Sequence, residues 1–222
     1  MSRASRLTAL AAAWLATGCG GGGSGSGTGP CTPGAATQLV KTGGDAQVWY
    51  FNNPLPAALS VKALDANNCV VPGVVVNWTV ASGGGGVSPA QSTTGTNGVA
   101  SATDSIGSST PQSVRATPAL TSLPTLTFSA TASAPATSGA VSVVNNSFNP
   151  ASSVVQVGGT VTWTWNSGGV EHTLTFTSGP PPLPAQTDQT TGTKAIMFNT
   201  VGTYAYHCII HGGMDGTLQV VH

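Results

Sequence analysis

The sequence predicts an all-β protein built from two antiparallel β-sandwiches. Short apolar runs alternate residue by residue with polar ones, which is the pattern of half-buried strands. Gly and Pro punctuate these runs, with 30 Gly and 15 Pro among 222 residues. Charged residues make up only 5% of the chain, while Gly, Ser, Thr, Val and Ala are abundant. This composition favours many short strands over long helices.

Residues 1–18 are predicted to be a secretion signal. Arg3 and Arg6 form a positive start, and the run LTALAAAWLA has 10 residues, too few to span a bilayer. Cys19 follows small residues and opens a Gly/Ser run, a pattern that resembles the lipobox of bacterial lipoproteins. The resemblance implies a lipid on Cys19, and Gly20 after it implies an anchor in the outer membrane, on its periplasmic or cell-surface face. Secretion without a lipid is the alternative.

Residues 19–36 are predicted to be a flexible tether because they contain the run GGGGSGSGTGP. Secretion would place the chain in an oxidising compartment. Cys31 and Cys69 could then pair across a loop of about 39 residues, which would stabilise the fold by about 4 kcal/mol. Two free thiols are the alternative. In either case Cys208 is left over, and an odd Cys in a secreted chain requires an explanation.

Residues 37–133 are predicted to form the first sandwich. Alternating runs such as GVVVNWTV and TLTFSAT are separated by the turn signals ANN and TNG. The stretch LDANNCVVPGVVVNWTVASGGGGVSP resembles the bacterial immunoglobulin-like domains of surface proteins. Its segment SGGGGVSP is interpreted as a hairpin loop, since no Gly-Lys-Ser/Thr of a phosphate loop follows. This part of the chain contains no His and is predicted to be a spacer or interaction module.

Residues 134–138 are predicted to be a linker and residues 139–222 a second sandwich. The second segment contains all four His of the chain as well as Cys208 and Met214. In the run YAYHC, strand alternation directs Cys208 inward and His207 outward. The following IIHGGMDG has three glycines, so the chain can turn there and bring other side chains towards the Cys sulfur.

A thiolate, an imidazole and a thioether are soft or borderline ligands and suit copper better than calcium or magnesium. Cys208, His211 and Met214 supply these groups within seven residues, and His172 on the alternating run VEHTLTF supplies a second imidazole. Two His and one Cys in a near-trigonal plane with a long axial Met form a site for both Cu(I) and Cu(II). A zinc site and a buried structural thiol are the alternatives.

The segments FNPASSVVQVGGTVTWTWNSGGVEHTLTF and GTYAYHCIIHGGMDGTLQV resemble the cupredoxins. That resemblance implies a Greek-key sandwich, one-electron transfer, and a single type 1 (blue) copper ion held by His172, Cys208, His211 and Met214. One departure is Thr173, where plastocyanin and amicyanin have Asn directly after the first His. A weaker hold on the ligand loop is therefore expected here.

The predicted function is electron transfer by a monomeric, non-enzymatic copper protein. Its partner would be a redox protein docking near His211, where Val170, Ile209 and Ile210 offer an apolar rim. Neutral net charge and the lack of a basic block argue against nucleic acid. An enzyme of the nitrite-reductase type would need more His than His207 and His222.

Two other functions are left open by the sequence. A copper-handling or storage protein would be expected to carry Met- or His-rich tracts, and none is present. A surface interaction protein with a secondary cupredoxin domain would depend mainly on the first sandwich.

Overall fold

The computed structural model describes residues 31–222. The predicted signal segment, Cys19 and most of the predicted tether lie outside these residues. Residues 31–222 form strands and turns without any helix, so this part of the chain has no helix long and apolar enough to cross a bilayer.

The first half of the described chain folds into two sheets around one hydrophobic core. Its strands are β1 (Gln38–Gly43), β2 (Gln47–Tyr50), β3 (Leu59–Leu64), β4 (Val75–Ser82), β5 (Gly85–Ser88), β6 (Gln91–Thr93), β7 (Val99–Ile106), β8 (Gln112–Pro118) and β9 (Leu126–Ser133). The strand orders are β1-β3-β7-β5 and β2-β9-β8-β4-β6. Alternation explains the core, since β3 and β7 bury every second residue against Trp78 and Phe128.

The second half forms two further sheets around a separate core. Its strands are β10 (Ser138–Val144), β11 (Ser147–Asn149), β12 (Ser152–Gln156), β13 (Gly159–Trp165), β14 (His172–Ser178), β15 (Thr187–Gln189), β16 (Gly192–Phe198), β17 (Gly202–His207) and β18 (Asp215–Val221). The strand orders are β11-β10-β13-β16 and β12-β18-β17-β14-β15. The all-β fold predicted from composition and alternation is therefore confirmed.

Most neighbouring strands pair antiparallel, as predicted, but not all of them. Three strand pairs are parallel, namely β2 with β9, β10 with β13, and β12 with β18. Alternation predicts which face of a strand is buried, but it does not reveal the direction of the neighbouring strand. The β10 strand also begins inside the predicted linker, at Ser138.

The Gly-rich segment after β4 is more ordered than a hairpin loop. Its second half is the strand β5, which pairs with β7 from Gly85 to Ser88. Gly85 has a φ of +86°, and a Cβ there would lie 2.0 Å from the carbonyl oxygen of Ser105. A side chain is therefore excluded by both conformation and space. Because glycines give no alternation, the sequence pattern concealed this strand.

An aromatic cluster fixes the strands that lead to the predicted site. Trp163 on β13 is fully buried and makes edge contacts with Phe176 on β14 and Tyr206 on β17, at centroid distances of 5.9 and 5.5 Å. Burying one such ring contributes about 2 kcal/mol. The cluster thereby packs β13 of one sheet against β14 and β17 of the other. The start of β14 and the end of β17 are the strand ends from which the site is built.

Candidate metal centre

Cys208 is the first residue after β17. Tyr204, Tyr206 and Cys208 are buried, whereas Ala205 and His207 are partly exposed. The Cys side chain therefore points into the sandwich and the His207 side chain points away from it, as alternation predicts. Cys208 is a free thiol.

His172 is the first residue of β14 and has no exposed surface. Its Nδ1 lies 3.9 Å from the Cys208 Sγ. Its carbonyl oxygen accepts a hydrogen bond of 2.9 Å from the Trp165 indole N–H. That bond ties the start of β14 to β13 and fixes where the imidazole enters the core.

The loop between β17 and β18 turns back on itself and brings His211 to the same sulfur. The Cys208 N–H donates to the Met214 carbonyl at 3.0 Å, and the Met214 N–H donates to the His211 carbonyl at 3.3 Å. Gly213 has a φ of +80°, a conformation that glycine adopts easily. As a result His211 Nδ1 lies 3.5 Å from Cys208 Sγ.

The three side chains form a compact group of potential ligands. The ligand atoms of His172, Cys208 and His211 all lie within 4.8 Å of one another. The two imidazole rings are 4.5 Å apart between centroids and inclined by 43°. In the part of the chain that the structure describes, no other three His, Cys, Asp or Glu side chains come together in this way.

Met214 lies at the end of the same loop. Its side chain is 1% exposed and belongs to the core of the second sandwich. Its backbone carbonyl bonds the Cys208 N–H, so the residue is next to the three potential ligands. Its role as an axial ligand stays a prediction.

Thr173 contributes more to the site than the sequence suggests. Its N–H donates to the Cys208 Sγ at 3.4 Å, and its hydroxyl accepts the Ile209 N–H at 2.9 Å. One residue thus bonds both the sulfur and the loop beside it. The position directly after His172 was the available signal, but only the structure shows that a Thr hydroxyl reaches the loop.

The Cys208 thiol is held close to its ionised form. Burial would raise its pKa, but the Thr173 N–H, both imidazoles and the Ile210 backbone together lower the pKa from 9.0 to about 6. At neutral pH the thiolate therefore predominates. The thiolate is the form of Cys that binds metal ions.

Three exposed apolar side chains belong to the chain segments that carry His172 and His211. Val170, Ile209 and Ile210 are 43%, 56% and 49% exposed, while the His211 residue itself is half-buried. These three side chains are called the apolar rim below. Their predicted arrangement as a docking rim around His211 stays a prediction.

The remaining predicted cysteines have no part in this group. Cys31 and Cys69 are both disulfide-bonded and so are not free thiols. Their pairing with each other stays a prediction. Cys19, the predicted lipid-bearing residue, lies outside the described residues.

The chain is similar to several proteins of known structure. A purple cupredoxin from Nitrosopumilus maritimus is 22% identical over 37% of this chain and 99% of its own, with a TM-score of 0.34. A reduced amicyanin variant is 25% identical over 38% of this chain and 82% of its own, with a TM-score of 0.33. An auracyanin from Roseiflexus castenholzii is 20% identical over 40% and 99%, with a TM-score of 0.33.

These proteins are cupredoxins. No family model matches the sequence of the present chain, and no curated protein matches it.

Proposed function

We propose that this protein binds one copper ion and transfers single electrons. The observation that carries the proposal is the convergence of a buried, largely ionised Cys208 with His172 Nδ1 and His211 Nδ1. Met214 is proposed as the weak axial ligand from its place at the end of the loop. Copper bound to this set would supply a type 1 centre that cycles between Cu(I) and Cu(II).

The donor chemistry fits copper. One thiolate and two imidazoles are ligands that bind both oxidation states of copper, and a nearby thioether adds a soft donor. Structural zinc sites take four Cys or His ligands and rarely include Met. Only three such side chains come together here within the described residues, which supports copper over structural zinc.

The protein's own residues keep the ligand geometry constant. The Thr173 N–H stabilises the negative charge on the Cys208 sulfur. Hydrogen bonds from Cys208 to Met214 and from Met214 to His211 close the loop on itself. His172 is excluded from water. A site held in this way changes little when its charge changes, and small rearrangement favours fast electron exchange.

Electrons are proposed to enter and leave through His211. It is the ligand candidate with exposed surface, and Ile209 and Ile210 of the exposed apolar rim directly precede it in the chain. A redox protein with an apolar docking face would cover Val170, Ile209 and Ile210. The chain has 6 basic and 6 acidic residues among 222, so electrostatic steering should be weak and partner choice should depend on shape.

Non-enzymatic function and membrane attachment belong to the same proposal. An enzyme of the nitrite-reductase type would need a second metal group, and residues 31–222 provide one group of potential ligands. The lipobox-like segment supports a lipid on Cys19 and an outer-membrane location. Replacing Cys19 by Ser and locating the protein in cell fractions would test the anchor separately.

Copper titration of the purified protein tests the proposal. We expect one Cu(II) per chain and an intense blue colour, because thiolate-to-copper charge transfer absorbs strongly. Cys208→Ser should lose the colour, whereas His207→Ala should retain colour and stoichiometry because its ring points away from the site. A pale complex in the wild type would refute the proposal, and a fast electron self-exchange rate would distinguish electron transfer from copper storage.

A further inference from the structure

Two unpartnered polar atoms lie on neighbouring strands beside the candidate metal centre. Among the described residues, the buried His172 Nε2 and the buried Gln189 Oε1 each have no hydrogen-bond partner. Their residues are directly opposite each other in the antiparallel pairing of β14 with β15. Buried polar atoms are usually paired, so two unpaired ones on facing residues call for an explanation.

Strand geometry places the two side chains on one face of the sheet. Directly opposed residues in an antiparallel pair have Cβ atoms about 5 Å apart and project to the same side. From that spacing, the Gln189 amide and the His172 imidazole can reach each other by rotation of side-chain bonds. Gln189 is partly buried, and its amide oxygen is buried and unpaired.

The orientation of the imidazole determines which atom needs an acceptor. His172 Nδ1 faces the Cys208 sulfur at 3.9 Å, so Nε2 is on the other side of the ring. A neutral imidazole that binds a metal through Nδ1 must carry its proton on Nε2. His172 has no exposed surface, so this N–H has no access to bulk water. Leaving it unpaired would destabilise the metal-bound site, because a buried donor without an acceptor loses its hydrogen bond to water and gains none in exchange.

We propose that Gln189 is a positioning residue whose Oε1 accepts a hydrogen bond from His172 Nε2–H when the metal is bound. The inference rests on the proposed metal centre and deepens it. This bond would fix both the tautomer and the tilt of the His172 ring, leaving Nδ1 free to bind metal. Partners of this kind typically change metal affinity about 10- to 100-fold.

The other unpaired atoms of this core do not compete for the same role. Trp163 Nε1 and Tyr206 Oη are also unpaired among the described residues. They lie within the aromatic cluster, whose rings are in mutual edge contact at 5.5 Å. The carbonyl oxygen of His172 is already bonded to Trp165. Gln189 is the unpaired acceptor on the strand that faces His172.

Nuclear magnetic resonance of the Cu(I)-loaded protein tests this bond directly. In the wild type we expect a slowly exchanging His172 Nε2–H signal with a nuclear Overhauser contact to the Gln189 side chain. Gln189→Leu should accelerate exchange of that proton and Cu(I) dissociation by at least about tenfold. Gln189→Glu retains an acceptor oxygen and should restore slow exchange.

Gln186→Leu is the matched control. Gln186 is an exposed glutamine in the same segment, and its amide donates to Asp188 rather than towards the metal centre. It should leave both rates unchanged. If Gln189→Leu fails to fold, the wild-type signal and its Overhauser contact decide the matter alone.

The outcomes separate this inference from the proposed function. A wild type that binds copper with a blue colour but shows no contact between His172 Nε2–H and Gln189 overturns the inference and leaves the function standing. Equal exchange rates of the His172 Nε2–H proton in the wild type and Gln189→Leu would likewise overturn the inference and leave the proposed function standing. A wild type that binds no copper refutes the proposed function first, and the inference with it.

Discussion

Met214 is the residue through which the chain would set the reduction potential of the proposed centre. An axial thioether donates electron density, and Cu(II) gains more from that density than Cu(I) does. Met214→Leu keeps the bulk of the buried side chain but removes the sulfur. We therefore expect the potential to rise on the order of 59 mV, which is a tenfold change in a one-electron equilibrium. Voltammetry on the copper-loaded variant measures it.

The colour provides a control for this prediction. Met214→Leu should remain blue because Cys208 still supplies the thiolate, whereas Cys208→Ser should be colourless. An unchanged or lower potential in Met214→Leu would show that another group holds the axial position. In that case the backbone contact between Met214 and Cys208 would be the whole contribution of this residue.

At the scale of elements, the Thr173 hydroxyl group bonds the ligand loop to β14. Thr173 Oγ1 accepts the Ile209 N–H at 2.9 Å, so the loop is bonded to the strand that carries His172. Thr173→Val keeps the shape of the side chain and removes the acceptor. We expect the free energy of unfolding to fall by about 1 kcal/mol. Hydrogen exchange at the Ile209 amide should become faster, and it can be measured in both the metal-free and the copper-loaded protein.

Thr177 on the same strand offers the comparison. It is exposed, and its hydroxyl donates to the Ala205 carbonyl, away from the loop. Thr177→Val should leave the Ile209 amide unchanged. Equal protection of that amide in the wild type and Thr173→Val would mean that the loop keeps its shape without the Thr173 hydroxyl.

At the scale of the whole molecule, Asn53 joins the two halves of the described chain. Its side chain is 3% exposed. Its amide donates to the His222 carbonyl at 3.0 Å, and its oxygen accepts the His222 N–H at 2.9 Å. Asn53 therefore bonds both backbone groups of a residue that directly follows β18.

Asn53→Ala should weaken this contact without disrupting either core. Removing the amide leaves partly buried backbone groups unpaired, which costs about 1–3 kcal/mol. We expect faster, less concerted tumbling of the two halves in backbone nitrogen relaxation, with the copper spectrum unchanged. Asn53→Asp keeps one acceptor and should fall between Ala and the wild type. Identical relaxation in all three proteins would contradict the prediction.

Part of the fold and of the candidate metal centre could be predicted from the sequence. Alternation in the run YAYHC predicts that Cys208 is buried and His207 is not, and both are found. The glycines between β17 and β18 allow the turn that brings His211 to Cys208, whereas the place of His172 beside them was implied by the resemblance to the cupredoxins. These inferences depend on local periodicity and on the preferences of a few residue types.

Features that depend on strand pairing could not be predicted from the sequence. The short β15 lies in a segment that reads as a Pro-rich loop, so Gln189 gave no sign of facing His172. The pairing of β10 with β13 and of β12 with β18 is parallel. The alternation of apolar and polar residues is the same for a parallel and an antiparallel neighbour, so it could not reveal this. The bonds between Asn53 and His222 join residues far apart in the chain, and no local pattern encodes them.

The path of β18 has a consequence for how the molecule could be used. The strand begins beside the ligand loop at Asp215 and ends next to His222, which is bonded to Asn53. Its seven residues, at about 3.3 Å each, separate these two points by roughly 23 Å. The bonds to Asn53 and the proposed site of electron exchange therefore lie at opposite ends of β18. A redox partner that docks near His211 would sit at the end of β18 that is not bonded to Asn53.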